Sequence, residues 1–177
     1  LPKPLIDVGG KPMFMRVIEN LGNTIDFSDV TCIVRKDHVE KYAIDDRIQH
    51  YDSKINIVIT DGQTQGAACT VMIATHRKTI SSHMVANTDQ IQIWDRKRFD
   101  GLRQGWHWAY ENYGGTIMTF QPDHDEPKHS YITVNGTTNT VSKLQEKDYM
   151  FDGVKSNIAT TGVYYFHQER EFHRAAE

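Results

Sequence analysis

The sequence predicts an α/β fold in which helices pack on a mostly parallel, mixed central sheet, and three observations carry that expectation. Up to Gly114, short β-branched runs alternate with segments of helical periodicity. Polar or glycine-containing loops follow the strand-like runs. Past Gly114 the rhythm changes to closely spaced strands separated by turn residues, so the sheet is expected to be mixed there.

In chain order, residues 1–12 read as an extended, proline-restricted stretch with a Gly-Gly turn. Met13, Val17 and Leu21 recur at helical spacing, with Pro12 suited to the first turn, and predict a helix over 13–21. A strand is expected at 30–34, followed by a helix over 36–51 with Val39, Tyr42 and Ala43 on one side. The β-branched run 55–60 predicts a strand buried on both faces, and the loop 61–66 leads into a helix at 67–76. Residues 83–86 form a short strand with Asn87-Thr88-Asp89-Gln90 as its polar exit, and 94–113 reads as one helix broken near Gly101. Further strands are expected at 116–120, 131–134 and 140–144, the last two joined by the turn 135–139. A strand at 158–166, interrupted by Thr160-Thr161-Gly162, precedes a terminal helix that lacks a stop signal.

Composition narrows the class. The 177 residues suffice for one domain that buries a sizeable core, and no repeat, low-complexity stretch or linker divides them. No segment approaches the roughly 20 apolar residues needed to span a bilayer, which predicts a cytoplasmic protein without a membrane partner. A net charge of −3 excludes general attraction to nucleic acid, so a polyanion would need placed cations such as Lys3 and Lys11. Cys32 and Cys69 lie in apolar segments without Cys-x-x-Cys spacing and are expected to be buried reduced thiols. The chain starts without Met or a leader and stops in mid-helix, so the expectation is that a domain spanning 1–177 continues beyond both ends.

Three segments can carry chemistry. Pro2-Lys3-Pro4 through Lys11-Pro12 sets two lysines around a flexible turn at a helix start, where cations and backbone N–H groups can meet phosphate. Asp89 ends an apolar strand, the place where open α/β sheets bind ligands. One carboxylate there is enough for partial ligation of Mg2+, which keeps most of its waters, although an Asp at such a position can also be a helix cap. The loop from Gly62 to Gly66, with Gln63 and Gln65, offers amide edges between a strand and a helix and suits reading a base edge. His124, Asp125 and His129 lie in a proline-containing, mixed-charge segment better read as a solvated loop than a metal site, and Trp94, Trp106 and Trp108 as packing residues.

These segments, LPKPLIDVGGKPM, GQTQGAACTVMIA and ANTDQ, resemble in order and spacing the sugar-phosphate nucleotidyltransferase (NDP-sugar pyrophosphorylase) family. HSYITVNG, SKLQEK and KSNIATTGVYYF resemble its acceptor-binding half. The resemblance implies a Rossmann-like, glycosyltransferase-A-like three-layer sandwich. It also implies transfer of a nucleoside monophosphate from an NTP to a phosphorylated small molecule, a sugar phosphate, with Mg2+ or Mn2+ as cofactor and pyrophosphate as product. Residue by residue, Lys3 would contact phosphate, Gln63 and Gly66 the base, Asp89 the metal, and Glu146, Lys147, Thr161 and Gly162 the acceptor; Lys11 is left open between phosphate anchor and helix support. The resemblance further implies nucleotide-sugar supply for a polysaccharide or capsule, and a homo-oligomer is one option. The family's glycine-rich loop would lie upstream of Leu1, and its second metal residue beyond Glu177. The base is open among uridine, cytidine and thymidine, and DYMFDGVKSN departs from the commoner sugar-binding pattern. Two other readings stand beside this one: a glycosyltransferase using an NDP-sugar, which the absence of Asp-x-Asp at NTDQ disfavours, and a catalytically silent nucleotide-binding regulatory domain.

Overall fold

Residues 1–22, 25–75, 82–95, 97, 114–124, 127–168 and 172–174 are described by a computed structural model of the chain. Two units result: Leu1–His83 with Asn87–Gly114 and Phe166–Glu177, and Met84–Ala86 with Gly115–Tyr165.

The first unit opens with a single 3-10 turn, Lys3–Leu5, that buries Leu5. Helix α1, Met13–Leu21, follows and buries Phe14, Met15, Val17 and Ile18, so that of the expected stripe Val17 is buried while Met13 and Leu21 are half-buried at its edge. Pro12 stands at the N-cap, one position outside the helix rather than in its first turn, and its carbonyl receives Met15 N at 3.0 Å. Strands β1, Thr31–Arg35, and β2, Asn56–Thr60, run parallel in register from Thr31 opposite Asn56 to Arg35 opposite Thr60.

Between them lie two helices where one was expected: α2, Lys36–Tyr42, and α3, Ile44–Tyr51. The break is Ala43, left-handed at φ 48, which lets Ile44 and Ile48 turn into a core shared with Leu5, Phe14, Met15, Ile18, Val34 and Ile55. Strand β2 is not buried on both faces, since Asn56 is exposed and Ile59 is 49% exposed. Its ladder is to β1 alone among the described residues, which leaves one edge and part of one face uncovered there. Helix α4, Ala67–Thr75, follows the loop after β2. Cys32 and Cys69 are free thiols but half-buried rather than buried; desolvation nonetheless pushes Cys32 up to about 11.

The second unit is dominated by one sheet. Strand β3, His83–Ala86, contributes its last three residues to this unit and pairs with β9, Ala159–Phe166. The order continues through β5, Ser130–Val134, to β6, Val141–Glu146, while β4, Gly115–Phe120, also pairs with β9. β5 is antiparallel to both β6 and β9. The turn between β5 and β6 is closed by the Asn135 side chain, which accepts from Thr137 N at 2.9 Å. Thr160-Thr161-Gly162 does not interrupt β9; the strand runs through, absorbing Gly162 at φ 77.

A small hairpin, β7 (Met150–Phe151) and β8 (Val154–Lys155), lies in the DYMFDGVKSN segment. Asp152 and Gly153 turn it at φ 51 and 82, positive φ at both central positions as in type I′ turns. Tyr131, Phe151 and Ala159 form the buried centre, with Tyr149 against it. Of the helix expected over 94–113, Trp94 and Asp95 are not helical and residue 97 is; its remainder, with Trp106 and Trp108, Asp125, and most of the terminal helix lie outside the described residues, and residues 172–174 are helical. Among the described residues no helix is long and apolar enough to cross a membrane.

Candidate active site

The loop that carries Lys3 is held by local geometry. Asp7 and Pro12 form an antiparallel bridge, Val8 N donates to Lys11 O at 2.7 Å, and Gly9 and Gly10 turn at φ 61 and 82. This is a two-residue hairpin turn of the kind that demands positive φ twice, which explains the Gly-Gly pair. Arg16 on α1 reaches back over it, donating from Nε to Val8 O at 2.8 Å and from its terminal nitrogen to Gly9 O at 2.5 Å. A Cβ at Gly9 would also stand 3.1 Å from that guanidinium, a tight approach that the flexible end of Arg16 would have to relieve by a small shift. Asp7 completes the turn by accepting Gly10 N at 3.0 Å.

Lys11 is engaged inside the same unit. Its ammonium pairs with Glu19 on α1, which also faces Arg16 at 3.8 Å. Of the two roles left open for Lys11, support of the helix start is the one this contact favours.

Lys3 behaves differently. Its ammonium lies 3.1 Å from Asp89 Oδ2, although 86 positions separate the two residues. Both side chains are open to solvent, at 75% and 38% exposure, so the pair contributes little to stability: exposed ion pairs contribute about 0–1 kcal/mol. Asp89 offers one carboxylate, already beside a cation. That donor set fits Mg2+ or Mn2+, which fill their remaining positions with water and phosphate oxygen, and does not fit a metal needing three or four protein ligands.

The segment bearing Gln63 and Gly66 follows β2. Thr60 Oγ1 donates to Gly62 O at 3.1 Å and Thr64 Oγ1 to Gly66 O at 3.0 Å, while Thr64 and Thr70 hydroxyls share a 2.5 Å bond. The loop is thereby tied to the first turn of α4, where Thr70 N donates to Gly66 O at 3.1 Å. Gln63, Gln65 and Gly66 remain exposed. A Cβ added at Gly66 would meet nothing within 4 Å, so the chain itself does not require glycine there.

In the second unit, Glu146 ends β6 and Lys147 follows in the left-handed region at φ 57. Lys147 N donates to His129 O at 2.9 Å, and the Lys147 ammonium lies 3.4 Å from Glu146 Oε1, both side chains exposed. His129 itself stands in an aromatic row, 5.1 Å from Phe120 and 6.3 Å from Tyr131. Thr161 is buried and Gly162 half-buried in β9, with Val163 N donating to Thr161 Oγ1 at 3.4 Å. The sequence reading passed over Arg16 and Asn20. A basic residue one helical turn past a Gly-Gly hairpin was the available sign for Arg16; nothing local marked Asn20.

The chain belongs to the nucleotidyl transferase family, whose model matches residues 1–176. It is 28% identical over 171 residues to a probable mannose-1-phosphate guanylyltransferase 1 of Oryza sativa subsp. japonica, covering 93% of this chain and 44% of the relative. The chain thus spans less than half the length of that curated relative. A nucleoside-diphosphate-sugar pyrophosphorylase from Vibrio cholerae RC9 superposes with a TM-score of 0.68 at 17% identity, over 99% of this chain and 68% of that one. A CMP:2-keto-3-deoxy-manno-octonic acid synthetase complexed with CTP gives 0.72 at 14% identity, over 98% and 70%. The fold is therefore the α/β, glycosyltransferase-A-like fold of these nucleotidyltransferases.

Proposed function

We propose that this chain carries the nucleotidyl-transfer site of an enzyme that moves a nucleoside monophosphate from an NTP to a sugar phosphate and releases pyrophosphate. The observation that carries the proposal is the 3.1 Å approach of Lys3 to Asp89 in a chain of the nucleotidyl transferase family. An acceptor phosphate oxygen attacks the α-phosphorus in line, the bond from the α-phosphorus to the bridging oxygen breaks, and the electron pair leaves with pyrophosphate. The acceptor phosphate is anionic at neutral pH, so a general base adds little, and alignment with charge neutralisation supplies the catalysis.

Lys3 holds the triphosphate and stabilises its charge. Asp89 holds Mg2+ or Mn2+, which when bound neutralises phosphate oxygens. Gln63 and Gly66 receive the base; Glu146, Lys147, Thr161 and Gly162 receive the acceptor, with Lys147 on its phosphate. The same reading makes residues 1–177 one catalytic domain of a cytoplasmic enzyme, able to form a homo-oligomer, in nucleotide-sugar supply for a polysaccharide. The plant relative's name adds a purine to the bases to be tried, so GTP with mannose 1-phosphate is the first pair to test.

Asp89→Asn tests the proposal, because Asn caps a helix as well as Asp does but lacks the charge a metal requires. In the native polypeptide the variant should melt within a degree or two of wild type. It should lose most pyrophosphate exchange into triphosphate and need more Mg2+ for what remains. Near-wild-type exchange with an unchanged Mg2+ dependence removes Asp89 from the mechanism. Absence of pyrophosphate exchange in the wild type, with every NTP and a panel of NDP-sugars, refutes nucleotidyl transfer itself.

A further inference from the structure

Downstream of Asp89 the chain has no ladder to hold it, since residues 90–95 belong to no helix or strand. The last turn of α1 engages this segment at three points. Asn20 Nδ2 donates to Gln92 O at 2.7 Å, and Gln92 N donates to Asn20 Oδ1 at 2.8 Å. One side-chain amide thus takes both backbone groups of one residue, as a neighbouring strand would. A third bond runs from Trp94 Nε1 to Asn20 O at 3.1 Å and satisfies one of the carbonyls that the end of a helix leaves without an intrahelical partner.

Gln92 is three residues from Asp89, a tether of about 10 Å when fully extended. Fixing its backbone on both sides restricts where the Asp89 carboxylate can lie, and Lys3 engages that carboxylate directly. The opposite end of α1 begins at the loop stabilised by Arg16, the loop that carries Lys3. A helix of nine residues, about 13 Å long, therefore meets the segments of both charged groups, one at each end.

We infer that Asn20 is a positioning residue for Asp89: its carboxamide fixes the Gln92 backbone and so holds the Asp89 carboxylate in place for the divalent cation of the triphosphate. The inference rests on the nucleotidyl-transfer reading above. An Asn chosen merely to join α1 to a surface segment would lend stability alone, and the two roles differ in what they do to cation binding.

The experiment uses Asn20→Ala, Asn20→Asp, Trp94→Phe and Asp89→Asn in the native polypeptide. Asn20→Asp keeps the acceptor for Gln92 N but sets a carboxylate against Gln92 O, and Trp94→Phe removes a bond at the same junction without touching the amide pair. Amide hydrogen exchange over 87–93 should show Gln92 protected in wild type and exchanging about tenfold faster in Asn20→Ala, the loss of about one hydrogen bond. The Kd of Mn2+ for the protein with a non-hydrolysable triphosphate, read by electron paramagnetic resonance, should rise about five- to tenfold in both Asn20 variants. It should stay within about twofold in Trp94→Phe even where that variant lowers Tm as much.

Unchanged Gln92 exchange in Asn20→Ala overturns the inference, as does Mn2+ affinity that falls with Tm alike in Asn20 and Trp94 variants. If Asp89→Asn weakens Mn2+ binding and Asn20→Ala does not, the positioning role is wrong and the metal role stands. If Asp89→Asn leaves Mn2+ binding intact, the metal reading beneath the inference fails, and the inference with it.

Discussion

Lys147 occupies a backbone conformation that costs an L-residue with a long side chain about 1 kcal/mol or more, and glycine nothing. Retaining lysine at φ 57 makes sense when the side chain is needed for something other than folding. Its ion pair with Glu146 is exposed and cannot repay that strain. Lys147→Gly should therefore leave Tm unchanged or raise it, while kcat/KM for the acceptor phosphate falls about ten- to a hundredfold, the loss of a charge-assisted contact. Lys147→Ala should show the same kinetic loss without the gain in Tm, and both should leave KM for the triphosphate alone. Normal acceptor kinetics in a folded Lys147→Gly would remove the residue from the acceptor site. Gly66 presents the converse case, since the chain leaves open space where its side chain would be. Gly66→Val should cost the first turn of α4 no more than about 2 kcal/mol as a poorer cap. It should raise KM for the triphosphate and not for the acceptor, and an unchanged nucleotide KM would show that no base approaches this glycine.

Among the elements, those whose periodicity and burial agree were legible. Helix α1 carries its apolar stripe at helical spacing, and β1, β3, β4 and β5 fall where β-branched runs stand between turn residues. The break between α2 and α3 was not, because Ala43 is a strong helix former and neither Gly nor Pro marks the spot. What breaks the helix is tertiary: Ile44 and Ile48, each 2% exposed, face the core only if the chain is rotated at Ala43. The hairpin of β7 and β8 was missed although Asp152-Gly153 is a turn signal, because two residues on either side are too few to show alternation. Strand β9 was read as interrupted because a glycine weakens a strand on propensity, whereas this strand absorbs the left-handed Gly162 without losing its continuity. The Ala43 break gives a stability prediction free of any functional assumption. Ala43 N still donates to Val39 O at 2.8 Å, so Ala43→Gly preserves the cap and removes the Cβ that disfavours φ 48. A gain of about 1 kcal/mol is expected, less the extra entropy of the unfolded glycine, and a lower urea midpoint for Ala43→Gly would contradict the strain.

At the scale of the whole molecule, the candidate site was legible as residue types and not as an arrangement. The proline-flanked Lys3 and the strand-end Asp89 stand out in the sequence, but only the folded first unit brings the ammonium within 3.1 Å of the carboxylate. Arg16 and Asn20 act through backbone atoms of other segments, and a sequence does not display which backbone groups a side chain will reach. The same tertiary dependence sets how global stability responds to pH. His167 is 2% exposed, its backbone N donates to Gly114 O at 3.1 Å, and desolvation lowers its pKa from the ordinary value of 6.5. Burial disfavours the charged imidazolium, so the folded chain takes up this proton at lower pH than the unfolded chain does. At pH well above about 6.5 both states carry a neutral ring and His167 contributes no pH dependence. As pH falls below that value the unfolded state binds a proton that the folded state does not, and stability is lost until the folded-state pKa is reached. The difference in unfolding free energy between wild type and His167→Asn, measured by urea titration in steps from pH 8 down to 5, removes the carboxylates and other histidines common to both. That difference should be flat near pH 8 and move against the wild type as pH falls through about 6.5, since Asn carries no titrating proton. A difference that is constant over the whole range would show that the His167 ring titrates alike in the folded and unfolded chains, and that its burial does not desolvate it.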